Sequence, residues 1–385
     1  MAALKALAIG LDWFPEHGGG LDRYFLGFIE NAAVADIDAR GLVAGRLSVG
    51  EETGGQVQAF APRSRSLVAR IWAARRATAR LLEDWHPDLV TAHFALHAAP
   101  SLDLIKVPFV VHFQGPWALE SGVQGGSSFA NRVKHKIEAS VYRRADRCIV
   151  LSHAFKDLLA ERYGVDPARV RVVPPSIDVE RFSAPRVSKR DARERLGWPS
   201  ERPTVLCVRR LVARMGLRQL IEAVAQASRN YPNLLCLIAG KGPDAADLQR
   251  LIVDLDVEDN VRLVGFIADD DLPYAYRAAD LSIVPTQGLE GFGLITIESL
   301  ASGTPVLVTP VDGLPEAVAA LSPTLILSGT SSEHIAEALG NWLGGHLSLP
   351  DEAACRAYAI EQFSWDIGMR RLRAVYNEAI GSRDR

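Results

Sequence analysis

The chain is expected to be an α/β protein built from two doubly wound, parallel-sheet domains. Three observations carry that expectation. Short apolar runs alternate with helical stretches along the whole chain, the pattern of a parallel sheet covered on both faces. The runs are Val- and Ile-rich and mostly lack polar alternation, as strands buried on both sides should. The length, 385 residues, exceeds one ordinary core and accommodates two.

The first series of strands reads KALAIG, GQVQAFA, DLVTAHF, PFVVHF, RCIVLS and VRVVPPS, with helices predicted over 21–35, 66–85, 131–144 and 154–163. The second series reads PTVLCVR, NLLCLIAG, NVRLVGF, DLSIVP, TPVLVT and PTLILS, with helices over 217–229, 245–255, 293–301 and 333–343. A polar stretch punctuated by Pro174, Pro175 and Pro185 joins them. The boundary is placed near residue 185, giving domains 1–185 and 186–364. A last helix, beginning after Ser364 within 365–385, is expected to pack back on the first domain. Open parallel sheets bind ligands at the carboxyl ends of their strands. Two such edges facing each other would form an interdomain cleft, and function is expected in the loops that follow the strands.

Composition narrows the class. Hydrophobic residues are 48% of the chain, enough to fill two cores. The formal net charge of −3 gives no whole-protein attraction to nucleic acid. No apolar run approaches the roughly 18 residues of a membrane span. The N-terminal MAALKALAIGLDWFP is interrupted by Asp12 and lacks a cleavage site, so it reads as a first strand and places the protein in the cytoplasm. Cys148, Cys207, Cys236 and Cys355 are far apart, and three lie in strand-like runs, as buried thiols would.

Charge is uneven locally. From Arg63 to Arg147 there are thirteen Lys or Arg against seven Asp or Glu. Two basic helices, 63–85 and 131–147, carry much of it. A solvated helix face explains them simply; the sharper reading is contact with anionic lipid on the cytoplasmic face of a membrane, or with a charged acceptor.

The richest segment is PTQGLEGFGLITIESLASGTPVLVTPVDGLP, at 285–315. After the strand DLSIVP, a glycine-rich turn carries Glu290, Gly291 and Gly293 and opens a helix. Free backbone N–H groups at a helix start suit a diphosphate or sugar hydroxyls. Glu298 follows Glu290 by eight residues, about two turns on a helical spacing. In the first half, Gly18, Gly19 and Gly20 follow the first strand, and Arg23 stands where a GxGxxG fingerprint needs its third glycine, which argues against NAD or FAD. His112 ends the strand PFVVHF, with Trp117, Glu120 and Ser121 just beyond; His93 ends the preceding strand. Asp269, Asp270 and Asp271 contain a DxD but precede a helix, so capping is preferred to a metal.

EGFGLITIE, continued by SLASGTPVLVTPVDGLPE, resembles the E-x7-E signature of glycosyltransferase family 4, retaining enzymes of the GT-B fold with two Rossmann-like domains. The resemblance implies transfer of a sugar from a UDP- or GDP-linked donor to an acceptor hydroxyl, with no metal and no cofactor. It implies an acceptor-binding first domain and a donor-binding second one. Glu290 would contact the donor sugar and Glu298 the ribose. The N–H groups of Gly291, Phe292, Gly293 and Leu294 would hold sugar and diphosphate. VRRLVARMGL resembles the segment whose Arg and Lys neutralise the leaving diphosphate; Arg210 matches the Arg. The Lys position, however, is Met215, and Arg209 replaces a Gly. Arg209, Arg214 and Lys241 are the candidate replacements for the missing charge. AGKGP and the strand end with Gly265 and Phe266 resemble the segments around the nucleotide. By the same resemblance Gly18 and Gly19 approach the donor, His112 orients the sugar, and Trp117 and Glu120 border the acceptor. Polysaccharide, lipid-linked and small-molecule acceptors all fit. A GT-B epimerase or phosphorylase, and a non-catalytic nucleotide-sugar-binding partner protein, are the other readings.

Overall fold

The computed structural model describes residues 3–123, 127–183 and 187–383. The chain forms two compact units, Met1–Ser176 with Trp365–Arg385, and Ile177–Ser364. The division thus falls before Pro185, which itself lies outside the described residues.

The first unit holds a seven-stranded parallel sheet ordered β3-β2-β1-β4-β5-β6-β7. Its strands are β1 Leu4–Asp12, β2 Ile37–Ala44, β3 Val57–Ala61, β4 Leu89–Ala92, β5 Phe109–Phe113, β6 Arg147–Val150 and β7 Val170–Val172. Period-two alternation sends neighbouring side chains to opposite cores. Leu4, Ala6, Ala8 and Val110 face the Gly20–Asn31 and Trp365–Gly381 helices, packing with Phe28, Met369, Leu372 and Tyr376. Leu7, Ile9, Val111 and Phe113 face Leu81 and Trp85 of the Leu67–Trp85 helix, and Tyr142 of the Ser128–Arg144 helix. The last helix is therefore part of this unit's core.

The second unit holds a five-stranded parallel sheet ordered β10-β9-β8-β11-β12. Its strands are β8 Thr204–Val208, β9 Leu235–Ala239, β10 Val261–Gly265, β11 Leu281–Val284 and β12 Val306–Val308. The Leu217–Ser228 and Ser332–Leu343 helices bury Leu220, Val224, Ile335 and Leu339 against one face. Local signals set several ends: Ser188 and Asp191 form a reciprocal capping box, and Gly197 closes the same helix in the left-handed conformation.

Two strand assignments differ from the sequence expectation. IDARGLVA forms β2, although Asp38, Arg40 and Gly41 break its apolar run; pairing along both β1 and β3 supplies what local propensity does not. PTLILS is a short 3-10 turn over Pro323–Leu325, with a single bridge from Ile326 to Val308 instead of a strand. Pro323 cannot donate a ladder hydrogen bond there. All four cysteines are free and buried, and burial pushes the Cys148, Cys207 and Cys355 thiols up to about 12. Replacing the fully buried Leu372 with Ala is expected to cost about 2–4 kcal/mol, read as a lower urea midpoint at unchanged m-value.

Candidate active site

A doubly wound sheet opens a crevice where its strand order reverses. In the second unit that point lies between β8 and β11. Arg209 and Arg210 follow β8, and the loop carrying Glu290 follows β11. Arg209 Nη2 donates to Glu290 Oε2 and to Thr286 Oγ1, and the ion pair is largely buried. Arg209 Nε has no hydrogen-bond partner among the described residues, so part of the guanidinium's donor capacity is unspent. Arg210 is exposed.

Two glycines fix this arrangement through backbone contact. Gly240 has φ +145, and a Cβ there would sit 1.8 Å from the Arg209 carbonyl oxygen. Gly216 has φ +72, and its Cβ would sit 1.8 Å from the carbonyl oxygen of Pro285. AGKGP is therefore a seat for the arginine pair. The Glu290 loop is clasped further: Arg214 Nη1 donates to Leu289 O at 2.8 Å, the Glu290 N–H donates to Asp312 Oδ2 at 2.9 Å, and Leu289 is held at φ +58. Met215 is buried in the core beside Leu217. Lys241 lies exposed, its Nζ 5.1 Å from the ring of Phe266, and that ring is itself open to solvent.

Glu290 precedes the helix, which begins at Leu294. The helical spacing expected between the two glutamates is therefore replaced by a loop-and-helix pair. Glu298 is buried inside the helix and accepts from the Tyr276 hydroxyl at 3.1 Å. That phenol's pKa is pushed well up, first by burial and then by the carboxylate. Gly291, Phe292 and Gly293 form the buried turn before the helix, with Phe292 against Phe363. Gly265 ends β10 and accepts from the Gly240 N–H at 2.7 Å. Asp271 stands at a helix N-cap without capping through its side chain; its carboxylate instead takes Arg195 at 2.8 Å.

In the first unit the order reverses between β1 and β4. Gly18 lies open and Gly19 caps the Gly20–Asn31 helix. Beneath them is a feature the sequence reading missed. Asp22 Oδ1 accepts from the Asp12 N–H at 3.1 Å, and the Asp12 carboxylate meets Arg63 at 2.9 Å. Burial raises both carboxyls, Asp22 to about 7. Its only sequence signal was Asp12 interrupting an apolar strand.

His112 shares the strand face of Val110, so it points into the core behind the last helix. Its Nε2 lies 2.9 Å from the Tyr376 hydroxyl, and its ring stacks on His93 at 4.0 Å. Burial lowers His112 to about 3 and His93 well below its ordinary value, so both are neutral. Trp117 and Glu120 lie on the Trp117–Val123 helix. Buried Glu138 accepts from the N–H groups of Trp117 and Ala118 and from the Tyr142 and Tyr163 hydroxyls. Lys134 stacks over Trp117 and donates to Ser121. The described residues hold no group of three or more side chains suited to a metal.

Comparison with known proteins defines the class. The solved sucrose-phosphate synthase of Thermosynechococcus elongatus superposes with a TM-score of 0.76 over 98% of this chain and all of that one, at 20% identity. Anabaena HepE in complex with UDP-glucose gives 0.76 over 97% and 100%, also at 20% identity. The fold is thus that of the GT-B glycosyltransferases, with two Rossmann-like domains. The family 4 glycosyltransferase signature matches residues 18–181, and that of the glycosyl transferases group 1 matches 188–362. A D-inositol 3-phosphate glycosyltransferase of Salinispora arenicola is 32% identical over 370 residues, covering 90% of this chain and 79% of that protein. A GDP-mannose-dependent alpha-(1-6)-phosphatidylinositol monomannoside mannosyltransferase of Mycobacterium tuberculosis is 31% identical over 241 residues, covering 60% and 62%. The chain belongs to glycosyltransferase family 4. It is an enzyme of carbohydrate biosynthesis that transfers a sugar from a nucleotide sugar.

Asp22 binds its proton more tightly folded than unfolded, so its ionisation destabilises the fold as pH rises from about 4 through 7. Asp22→Asn keeps the oxygen that accepts from Asp12 and removes that titration. Its melting temperature relative to wild type is expected to climb by a few degrees across that window and level off above about pH 8.

Proposed function

We propose that the enzyme moves a hexose from a UDP- or GDP-linked donor to an acceptor hydroxyl with retention of anomeric configuration, using neither metal nor organic cofactor. The observation that carries this reading is the Arg209–Glu290 pair at the β8/β11 switch point, beside the turn that opens the Leu294–Ala301 helix.

The donor binds the second unit. Glu290 accepts from the sugar hydroxyls, Glu298 from the ribose through the helix, and the exposed ring of Phe266 lies against the base. The N–H groups of the Gly291–Leu294 turn meet the diphosphate, helped by the positive end of the helix. As the bond from the anomeric carbon to the phosphate oxygen lengthens, negative charge grows on the leaving group. The acceptor oxygen forms its bond to the same face of an oxocarbenium-like carbon, and its proton passes to the departing phosphate. Preorganised cations are the main means of stabilising such charge.

Met215 cannot supply that charge from the core, Arg214 is bound to the loop carbonyls, and Lys241 lies over Phe266. Arg209 is left to share the diphosphate with Arg210, its unspent donor and its contact with Glu290 supporting that role. This charge balance needs no divalent ion. The acceptor is recognised by the first unit, with the Gly18–Gly19 turn, Trp117 and Glu120 as its contacts. Neutral, buried His112, held by the Tyr376 hydroxyl, fixes the end of β5 just before the Trp117 helix. The buried Met215 is also the one feature favouring a partner protein that binds nucleotide sugar without turnover.

Thermal stabilisation by UDP, GDP, ADP and their sugar conjugates tests the donor site. One nucleotide sugar should raise the melting temperature beyond its nucleotide, and Glu290→Ala should lose that extra rise; no response to any of them would favour the non-catalytic reading. Arg209→Gln is expected to lower kcat about 10²-fold, with folding intact by melting temperature. Met215→Lys should leave turnover unchanged or lower. Activity should survive EDTA, and NMR of the product should show the donor's anomeric configuration; an inverted product would overturn the mechanism.

A further inference from the structure

We propose that the first unit carries a docking surface for the anionic face of a lipid bilayer, formed by the outer sides of the Leu67–Trp85 and Ser128–Arg144 helices. The inference is independent of the donor-site reading. Both helices cover the same face of the seven-stranded sheet. They flank the short Ala95–Ala98 and Ala99–Ser101 turns, and their inner sides supply Leu81, Trp85, Ala139 and Tyr142 to one core.

Their outer sides do not look like ordinary solvated faces. On the first helix Val68 and Trp72, one turn apart, are 66% and 57% exposed. On the second, Phe129 and Val133, also one turn apart, are 69% and 42% exposed. Scattered surface apolar residues are common. Here, however, a Trp and a Phe stand out on neighbouring helices, and each is set among cations. Arg65, Arg76 and Arg80 are exposed around Trp72; Arg132 and Lys136 are exposed around Phe129. None of these five has an ion-pair partner among the described residues. Arg75, on the flank, is by contrast engaged by Asp103 and the Pro100 carbonyl.

Acidic residues are kept off both faces. The second helix has one, Glu138, and it is buried. The first has Glu83 and Asp84, both in its last turn, away from Trp72. The protein as a whole carries −3, so this positive field is local and not a by-product of net charge. Unpaired cations attract phosphate-bearing lipids, while Trp and Phe insert at headgroup depth. A duplex nucleic acid would use the cations but leave the paired apolar anchors in water, and a protein would need an acidic and apolar patch matched to both helices, whereas a bilayer meets cations and anchors at once. The combination therefore selects a bilayer.

Flotation of the full-length protein with vesicles of phosphatidylcholine alone, or of phosphatidylcholine with phosphatidylglycerol, tests this. Binding to the anionic vesicles should be at least about tenfold stronger and should weaken steeply with salt. The Trp72→Ser/Phe129→Ser and Arg76→Gln/Arg132→Gln double variants should each lose most of it, with melting temperature unchanged because none of the four side chains is buried. Trp72 emission, taken as the difference from Trp72→Phe, should shift to the blue on anionic vesicles. Equal flotation with both vesicle types would overturn the proposal. So would undiminished binding by the two double variants, or retention on heparin without flotation.

Discussion

The candidate site of the second unit depends on two places where a backbone carbonyl presses into the space a side chain would need. Gly240 lies under the Arg209 carbonyl and Gly216 under that of Pro285. These contacts pull the loops after β8, β9 and β11 together at the point where the sheet's strand order reverses. The cation and the carboxylate meet because their backbones are already held in place. The clasp of Arg214 on Leu289 and of Asp312 on Glu290 then keeps the loop in a conformation that Leu289 would not choose alone. Side-chain chemistry at the site thus rests on main-chain packing behind it.

The two units handle buried charge differently. In the second, Glu290 is met by a guanidinium and Glu298 by a phenol. In the first, Glu138 gathers two N–H groups and two phenols and still has its pKa raised, because burial outweighs four donors. The Asp12–Asp22 pair follows the same rule, with one partly exposed Arg63 against two carboxyls. The histidines go further, losing their charge altogether in an aromatic core. The first unit therefore buries groups that burial drives towards their neutral forms, whereas the second sets its two glutamates against a guanidinium and a phenol.

Much of the fold was readable because parallel strands buried on both faces leave apolar runs with few polar breaks, and eleven of the twelve strands were read from such runs. The twelfth, β2, is polar at its start and owes its conformation to strands on either side. PTLILS has the run without a strand's partners. At the site, the residue types around Glu290 and Glu298 were legible, but their geometry was not. A fixed spacing of eight suggested two turns of one helix, while the chain spends half of it in a loop. The partner of Glu290 was visible only as an oddity, an arginine in place of a glycine. His112 could be placed at a strand end, and only the parity of β5 reveals that it faces the core.

The Trp365–Gly381 helix closes the core around Phe28 and His112, although more than half the chain separates it from the strands it covers. On a ribosome, the first unit to be synthesised is consequently the last able to finish. Residues 177–364 form a contiguous piece and can complete their sheet as soon as they emerge. The earlier strands must wait with one apolar face uncovered until the Trp365–Gly381 helix has been made. The second unit can therefore be complete first, and a chain cut short before Trp365 would keep that unit whole while leaving one face of the first sheet uncovered.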